Sequence, residues 1–368
     1  MISREQFDAY NRAVANLSDG AQREIESRIM SWLQTDEGRS ASVAECREYA
    51  KSVMSGVVQV YDSAAASLAA EWYDKQAADS GARLPAAITA TTYSPESVDE
   101  TARYQAKKLA EGDPRGFAEY CGELGRNDVL RSLNETIMRN AARDRKRGVR
   151  FARVPTGAET CTYCLMLASR GAVYHSRKTA GEFRHFHRRC DCKVVPGFED
   201  DPDATLVEGK SPKAMLMLYR ACERIEARDD ITNLEKGAIK SRLAALPLDG
   251  WDISDAGSVD NGSFEDFSGW KSRRALIAHA KKHAAEFGID YRSLDGQNAY
   301  DRRFSQVLGA AERVYYRDDI AGQNGAICGV FISGEHIAVL NIEAGYRVTA
   351  FKHKEGVSGY YDAIWNQE

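Results

Sequence analysis

The sequence lacks any run of about 18 consecutive apolar residues, which is the length that a transmembrane helix requires. It also lacks an apolar segment near its first residues, so nothing in the sequence predicts secretion. The composition, with 43% hydrophobic and 28% charged residues, is typical of a soluble globular protein. We therefore expect no membrane partner, and 368 residues allow two or three domains.

Cysteine is sparse, with eight residues in the chain, yet half of these are clustered. Cys161 and Cys164 form a C-x₂-C pair, and 22 residues separate this pair from His187, Cys190 and Cys192. Thiolate sulfur and neutral imidazole are preferred zinc ligands, and C-x₂-C lets one turn direct two sulfurs at one ion. No carboxylate is placed as a general base, so the pattern predicts a closed, structural zinc site.

Four of these five residues suffice for tetrahedral coordination. The favoured set adds His187 and Cys190 to the C-x₂-C pair, while Cys192 competes for the last place and His185 is an alternative to His187. Redox or disulfide use stays open, although the absence of a secretion signal favours reduced thiols and hence a metal. The isolated cysteines are predicted core thiols: Cys46, Cys121, Cys222 and Cys328.

Positive charge is concentrated around this cluster. Residues 139–193 contain 14 Lys and Arg against 4 Asp and Glu, although the whole chain has a net charge of −4. The cluster is therefore a basic island in an acidic protein. Such an island indicates affinity for nucleic acid or for an acidic protein surface. The alternative is a solvated face without a partner.

The remaining sequence divides into segments of different character. Apolar residues recur at helical spacing before the cluster and again after it, and an acidic stretch without Lys or Arg follows. The predicted segments are a helical region at 1–148, the zinc module at 149–200, a helical extension at 201–246, an acidic linker at 247–270 and a separate domain at 271–368.

The last segment has the pattern of a small α+β domain. Helical periodicity at 273–287 and 302–311 precedes four β-branched and aromatic runs, which predict strands at 314–316, 326–332, 336–342 and 346–352. Ser333-Gly334 and Ala344-Gly345 predict hairpin turns between the last three strands. The expected fold is mainly α with a small zinc-stapled module, plus a C-terminal α+β domain of two helices and a four-stranded antiparallel meander.

Two stretches carry a family resemblance. Residues 153–171 (RVPTGAETCTYCLMLASRG) and 187–196 (HRRCDCKVVP) resemble the Mu F-type minor head proteins of tailed phages. That family pairs two cysteines before an apolar segment, then places a histidine and a C-x-C before a proline. The resemblance covers about residues 100–200. It implies a capsid- and portal-associated helical region, a place inside the virion near the portal, and portal and capsid proteins as partners. The basic island makes packaged DNA a further candidate partner.

Some proteins of that kind carry C-terminal toxins, thought to enter the host with the genome. Here the two helices and meander are similar to phage members of the barnase–EndoU–colicin–RelE superfamily of metal-independent ribonucleases. Residues 279–283, 348–356 and Tyr360-Tyr361 carry this resemblance. It implies a metal-independent endoribonuclease in residues 271–368, with host RNA as substrate in the bacterial cytoplasm after ejection.

RNA cleavage by the 2′-hydroxyl requires a base, an acid for the leaving oxygen and cations for the phosphorane. His279 and His283 are four residues apart and share one helix face, and imidazole transfers protons near neutral pH. The candidate catalytic residues, with His283 first, are His283, His279, Lys282, Arg317, Thr349 and Lys352. In an ideal strand Thr349 and Lys352 face opposite sides unless a bulge intervenes.

Structural roles are the alternative for all of these residues. Ala280-Lys281 replaces the glutamate of an H-E-x-x-H motif, so metalloprotease chemistry is not expected. His336, which begins a strand, is predicted to be structural. On this alternative the chain is a purely structural virion protein whose zinc module and C-terminal domain bind portal, capsid or packaged DNA.

Overall fold

The computed structural model describes residues 1–156, 161–176, 180, 192–198, 201–246, 248, 251–252 and 269–353. The chain forms two compact units, Met1–Pro212 and Lys213–Glu368. None of the described helices combines the length and the apolar character that crossing a bilayer requires. The predicted class, mainly helical with a C-terminal antiparallel sheet, is confirmed.

Long helices dominate the first unit, as the apolar periodicity predicts. Its elements are α1 (Arg4–Leu33), α2 (Asp36–Ser40), α3 (Val43–Asp79), α4 (Pro95–Ala110), α5 (Pro114–Arg143), β1 (Arg150–Val154), α6 (Thr162–Ala168) and β2 (Lys193–Gly197). Capping boxes fix where α1 and α3 begin, because Ser3 pairs with Gln6 and Ser42 pairs with Glu45. β1 and β2 form a two-stranded antiparallel sheet.

Helix α5 lies at the centre of this unit and packs against α1, α3 and α4. Two glycines allow α1 to approach it closely. A Cβ atom on Gly125 would lie 2.5 Å from the Cδ1 atom of Ile25, and one on Gly122 would lie 2.9 Å from the carbonyl oxygen of Gln22. Real Cβ atoms do not approach neighbours so closely, so this close packing of α1 and α5 requires residues without a Cβ atom at both positions.

Three polar side chains spaced four residues apart on α5 hold the extended segment that precedes α4. We call this set of hydrogen bonds the polar ladder. Its rungs are Ser132 with Thr92, Thr136 with Ala90, and Asn140 with Ile88, at donor–acceptor distances between 2.8 and 3.0 Å. Four helical residues advance about 6 Å and two extended residues about 6.6 Å, so the two repeats stay in step.

A buried carboxylate closes the C-terminal end of α5. Asp144 is fully buried and accepts hydrogen bonds from the Tyr73 hydroxyl at 2.9 Å and from the Arg143 guanidinium at 2.6 Å. Arg147 contributes a third bond at 3.1 Å. Burial opposes ionisation, but the bonds from Arg143 and Tyr73 outweigh it and lower the pKa of Asp144. The end of α5 is thereby fixed to α3.

The second unit contains helices and one antiparallel sheet. Its elements are α7 (Pro212–Glu226), α8 (Asn233–Ala245), β3 (Trp251–Asp252), α9 (Arg273–His283), a 3₁₀ turn (Ala284–Phe287), α10 (Leu294–Gly309), β4 (Arg313–Arg317), β5 (Cys328–Ser333), β6 (His336–Asn341) and β7 (Tyr346–Lys352). The sheet order is β3-β4-β5-β6-β7. The predicted meander is confirmed, with β3 as a short additional strand.

Glycines with positive φ occupy both predicted hairpin turns, Gly334 at 54° and Gly345 at 72°. At one end of the sheet Glu343 is almost buried, and it accepts hydrogen bonds from the Ile327 amide at 2.7 Å and from Arg224 of α7 at 2.5 Å. These bonds join α7 to the sheet. The predicted linker at 247–270 falls largely outside the described residues. Of its described parts, β3 is the edge strand of the sheet and Trp270 forms a bridge with Arg347 of β7.

The polar ladder should contribute measurably to stability. We expect Thr136→Val to lower the free energy of unfolding by about 1–3 kcal/mol, because both backbone groups of buried Ala90 lose their partner. Thr136→Ser keeps the hydroxyl and is the control, which should retain most of that energy. Chemical denaturation of the full chain measures both changes. Equal stability of the Val and Ser variants would argue against the ladder.

Asp62 on α3 should make stability depend on pH. It is fully buried, and within the described part of the chain neither carboxylate oxygen makes a hydrogen bond of standard geometry. Burial raises its pKa to about 6, and the nearby Ser132 hydroxyl only partly opposes this shift. A pKa raised above the unfolded value of about 3.9 means that this destabilisation grows as the pH rises above about 4 and is complete only above pH 6.

We therefore expect Asp62→Asn to raise stability, relative to the wild-type chain, by about 2 kcal/mol more at pH 8 than at pH 4.5. Thermal unfolding at the two pH values measures the difference. Any packing defect of the amide affects both values equally and cancels. A stability difference that does not change with pH would show that Asp62 does not ionise in this range.

Candidate metal centre and histidine site

The C-x₂-C pair is built around the start of α6. Cys161 is the N-cap residue of this helix, and its Sγ atom accepts a hydrogen bond from the Cys164 amide at 3.3 Å. This bond fixes the turn that separates the two sulfurs. Cys164 is buried, whereas Cys161 is half-buried. The turn therefore directs both side chains to the same side of the module.

Cys192, which directly precedes β2, lies next to these two cysteines. Its Sγ atom lies 3.1 Å from the Cys164 Sγ atom, and Cys161 packs against both residues. A disulfide bond is about 2.0 Å long, so the sulfurs are in contact without being bonded. The Val194 amide donates to the Asn134 side chain at 3.0 Å, which anchors β2 to α5.

The structure thus brings together three of the five predicted ligands. His187 and Cys190, together with the alternative ligand His185, lie outside the described residues. Within the described part of the chain, no three His, Cys, Asp or Glu side chains stand in the arrangement of a metal site. The donor chemistry of the sulfurs fits zinc. The zinc site and its full ligand set stay a prediction.

A buried arginine lies against these sulfurs. Only 3% of Arg153 is exposed, and its Nη2 atom lies 2.6 Å from the Cys192 Sγ atom and 3.8 Å from the Cys164 Sγ atom. Its Nη1 atom donates to the Ala180 carbonyl at 3.2 Å. A neighbouring guanidinium favours the thiolate form of cysteine. Sequence reasoning assigned Arg153 no role, although a charged residue among the buried residues of β1 was a signal.

The basic island also has an exposed part. Arg145, Lys146 and Arg147 form one exposed turn after α5. Nearby, the Arg150 guanidinium lies 3.3 Å from the Nε2 atom of His175. Burial and then the charges of Arg150 and Arg145 lower the pKa of His175. The surface is therefore rich in basic side chains around this turn.

The histidines of α9 lie beside strand β7. The Nδ1 atom of His283 is 3.0 Å from the Oε1 atom of Glu286, and the other carboxylate oxygen accepts the Lys352 amide at 2.7 Å. Glu286 therefore connects the histidine to the edge of the sheet. Sequence reasoning missed Glu286, although its position three residues after His283 was a usable signal.

His279 occupies a more enclosed position than His283. It is half-buried against the Trp270 ring, with the ring centroids 5.9 Å apart. Its buried Nδ1 atom has no hydrogen-bond partner among the described residues. Burial, then Lys282 and His283, lower the pKa of His279. The ring is therefore neutral at pH 7 and able to accept a proton.

The remaining predicted catalytic residues are spread over the sheet. Thr349 pairs with Val339 and Lys352 pairs with His336, so Thr349 and Lys352 lie on opposite faces. The strand irregularity next to Val339 lies on the other side of Thr349 from Lys352, so it does not bring the two together.

Arg317 is on β4, three strands from β7, and its guanidinium pairs with Asp319. The Lys352 ammonium pairs with Glu335 at 2.5 Å. The structure therefore places His279, Lys282 and His283 of α9 near the backbone of Lys352. Thr349 lies on the sheet face opposite to Lys352, and Arg317 lies three strands away. His336 packs against the Phe287 ring with centroids 5.2 Å apart, an environment typical of a structural residue.

Comparisons with known proteins agree with a phage origin. The family model described as VG15 protein matches residues 1–222. The Gene 15 protein of Mycobacterium phage D29 is 29% identical, over 26% of this chain and 48% of that protein. The Gene 15 protein of Mycobacterium phage L5 is 34% identical, over 13% of this chain and 29% of that protein.

The chain thus spans at most about half the length of these curated relatives. No solved structure matches it. The family model covers more than half of the chain and includes α1 to α6, both strands of the first sheet and all three clustered cysteines that the structure describes. The chain therefore belongs to the VG15 protein family and is a phage protein similar to the gene 15 proteins.

Proposed function

We propose that this protein is a minor head protein that lies inside the virion near the portal, with a zinc-stapled body. The observation that carries this proposal is the position of the Cys/His pattern. That pattern, which resembles the Mu F-type minor head proteins, falls entirely within the part of the chain matched by a phage protein family. Portal and capsid proteins are the proposed partners, and the long helices of the first unit offer extended surfaces for them.

The proposed zinc is structural. Its ligands are Cys161, Cys164 and Cys192, whose side chains pack together, completed by His187 or Cys190. The described residues of the module around them form a two-stranded sheet and a helix of seven residues. Its apolar side chains, such as Phe151, Leu167 and Val195, pack into the helical core, and a metal ion would in addition cross-link segments that are distant in sequence.

We expect about one zinc per chain in protein purified without chelators. Cys164→Ser should lose the metal and lower the melting temperature, because one ligand of the closed site is gone. Cys46→Ser, at another buried cysteine in α3, is the matched control and should keep its zinc. Elemental analysis and thermal unfolding measure the effects. A metal-free wild-type chain, or full zinc content in Cys164→Ser, would count against the site.

The exposed basic turn supports packaged DNA as a further partner. Arg145, Lys146 and Arg147 present three cationic side chains in sequence, and phosphate contacts need no particular base sequence. A protein inside the capsid is surrounded by densely packed phosphates. The positive surface and the proposed location are therefore compatible.

A second candidate function belongs to the second unit, where the pairing of His283 with Glu286 favours proton-transfer chemistry. The carboxylate holds the Nδ1 atom, so the Nε2 atom is the one available to a substrate. Neutral His279 would act as the base, and Lys282 would supply a cation for the phosphorane. The proposed reaction is metal-independent cleavage of host RNA. The alternative is a structural C-terminal unit that binds capsid, portal or DNA.

The full-length protein should cleave RNA without added metal, and His283→Ala should slow cleavage by about 100-fold or more. Glu286→Gln should slow it less, because the ring stays in place but loses its charged partner. Lys281→Ala, exposed on the same helix, is the control and should cleave normally. Gel analysis of total RNA, tRNA and ribosomes gives the rates. No cleavage of any of these by the wild-type chain would leave the structural alternative.

A further inference from the structure

We propose that Arg153 is a positioning residue of the zinc site, which bridges two thiolate ligands and offsets their negative charge. This inference rests on the proposed zinc site. It assigns a function to a buried cation that does not itself bind the metal.

The guanidinium has the right geometry to bridge the sulfurs. Its Nη2 atom reaches both, at 2.6 Å from Cys192 and 3.8 Å from Cys164, while Nη1 donates to the Ala180 carbonyl at 3.2 Å. The planar fork of arginine allows these contacts at the same time, whereas an ammonium group has no such fork. Arg153 thus contacts one sulfur from α6, that of Cys164, and one from the start of β2, that of Cys192.

Charge gives the contact its physical reason. A zinc ion with three thiolates and an imidazole keeps one net negative charge, and with four thiolates it keeps two. Leaving such a charge uncompensated away from water is unfavourable, and so is burying a guanidinium alone. Arg153 is 97% buried, since only 3% of it is exposed. The cation and the anionic site therefore stabilise each other.

The sheet holds the two partners in register. Arg153 on β1 pairs with Val194 on β2, and Val194 is two residues after Cys192. The backbone therefore fixes the start of the arginine side chain relative to the Cys192 sulfur. Groups that orient metal ligands from outside typically change metal affinity by 10–100-fold when they are removed.

The test is zinc affinity, measured by competition with a chromogenic chelator on the folded full-length chain. We expect Arg153→Gln to bind zinc about 10–100-fold more weakly. Arg153→Lys should fall between, because it keeps the charge but loses the fork. The matched control is Arg150→Gln on the same strand, whose guanidinium lies against His175 and whose loss should leave the affinity unchanged.

Cobalt substitution gives a second readout that loss of general stability would not produce. The thiolate-to-metal absorption bands of the cobalt form should shift in Arg153→Lys, because a sulfur loses a hydrogen-bond donor. Zinc affinity and cobalt bands that match the wild-type chain in Arg153→Lys and in any folded Arg153→Gln would overturn the role of Arg153 alone. Absence of zinc from the wild-type chain would overturn the site and this inference together.

Discussion

The structure of the first unit depends on the burial of helix α5 on nearly every side. An interior helix must satisfy each polar side chain it carries, because an unpaired buried group is costly. The apolar and glycine residues of α5 pack against α1 and α3, and its polar side chains form hydrogen bonds with backbone groups of other segments. Asn134 binds β2, and Asp144, just past its end, binds Tyr73. The cysteine module is thereby attached to the helix that organises the rest of the unit.

Much of this architecture is predictable because the spacing of apolar residues close together in sequence determines it. The bounds of α1, α3 and α5 and of strands β4 to β7 follow from apolar spacing, capping residues and glycine turns. The polar ladder was not predicted, since its partners are about 40 to 50 residues apart in sequence. A run of small polar residues four apart in a helix was its one visible sign.

The histidine site shows the same division between local and distant information. Spacing on one helix correctly groups His279 and His283, and strand alternation separates Thr349 from Lys352, as the sheet register shows. The placement of Arg317 depends on strand order, which local pattern does not encode. Likewise, the family match ends within α7, so it supports the phage character of the body more directly than any chemistry of the second unit.

The polar ladder also limits how this protein can change in length. Its rungs recur every four residues along α5 and every two along the extended segment. A single inserted or deleted residue in either segment would put every later rung out of phase, whereas most substitutions affect one rung. The spacing of residues 88–92 and 132–140 should therefore vary less among related phages than the identities of the residues between the rungs.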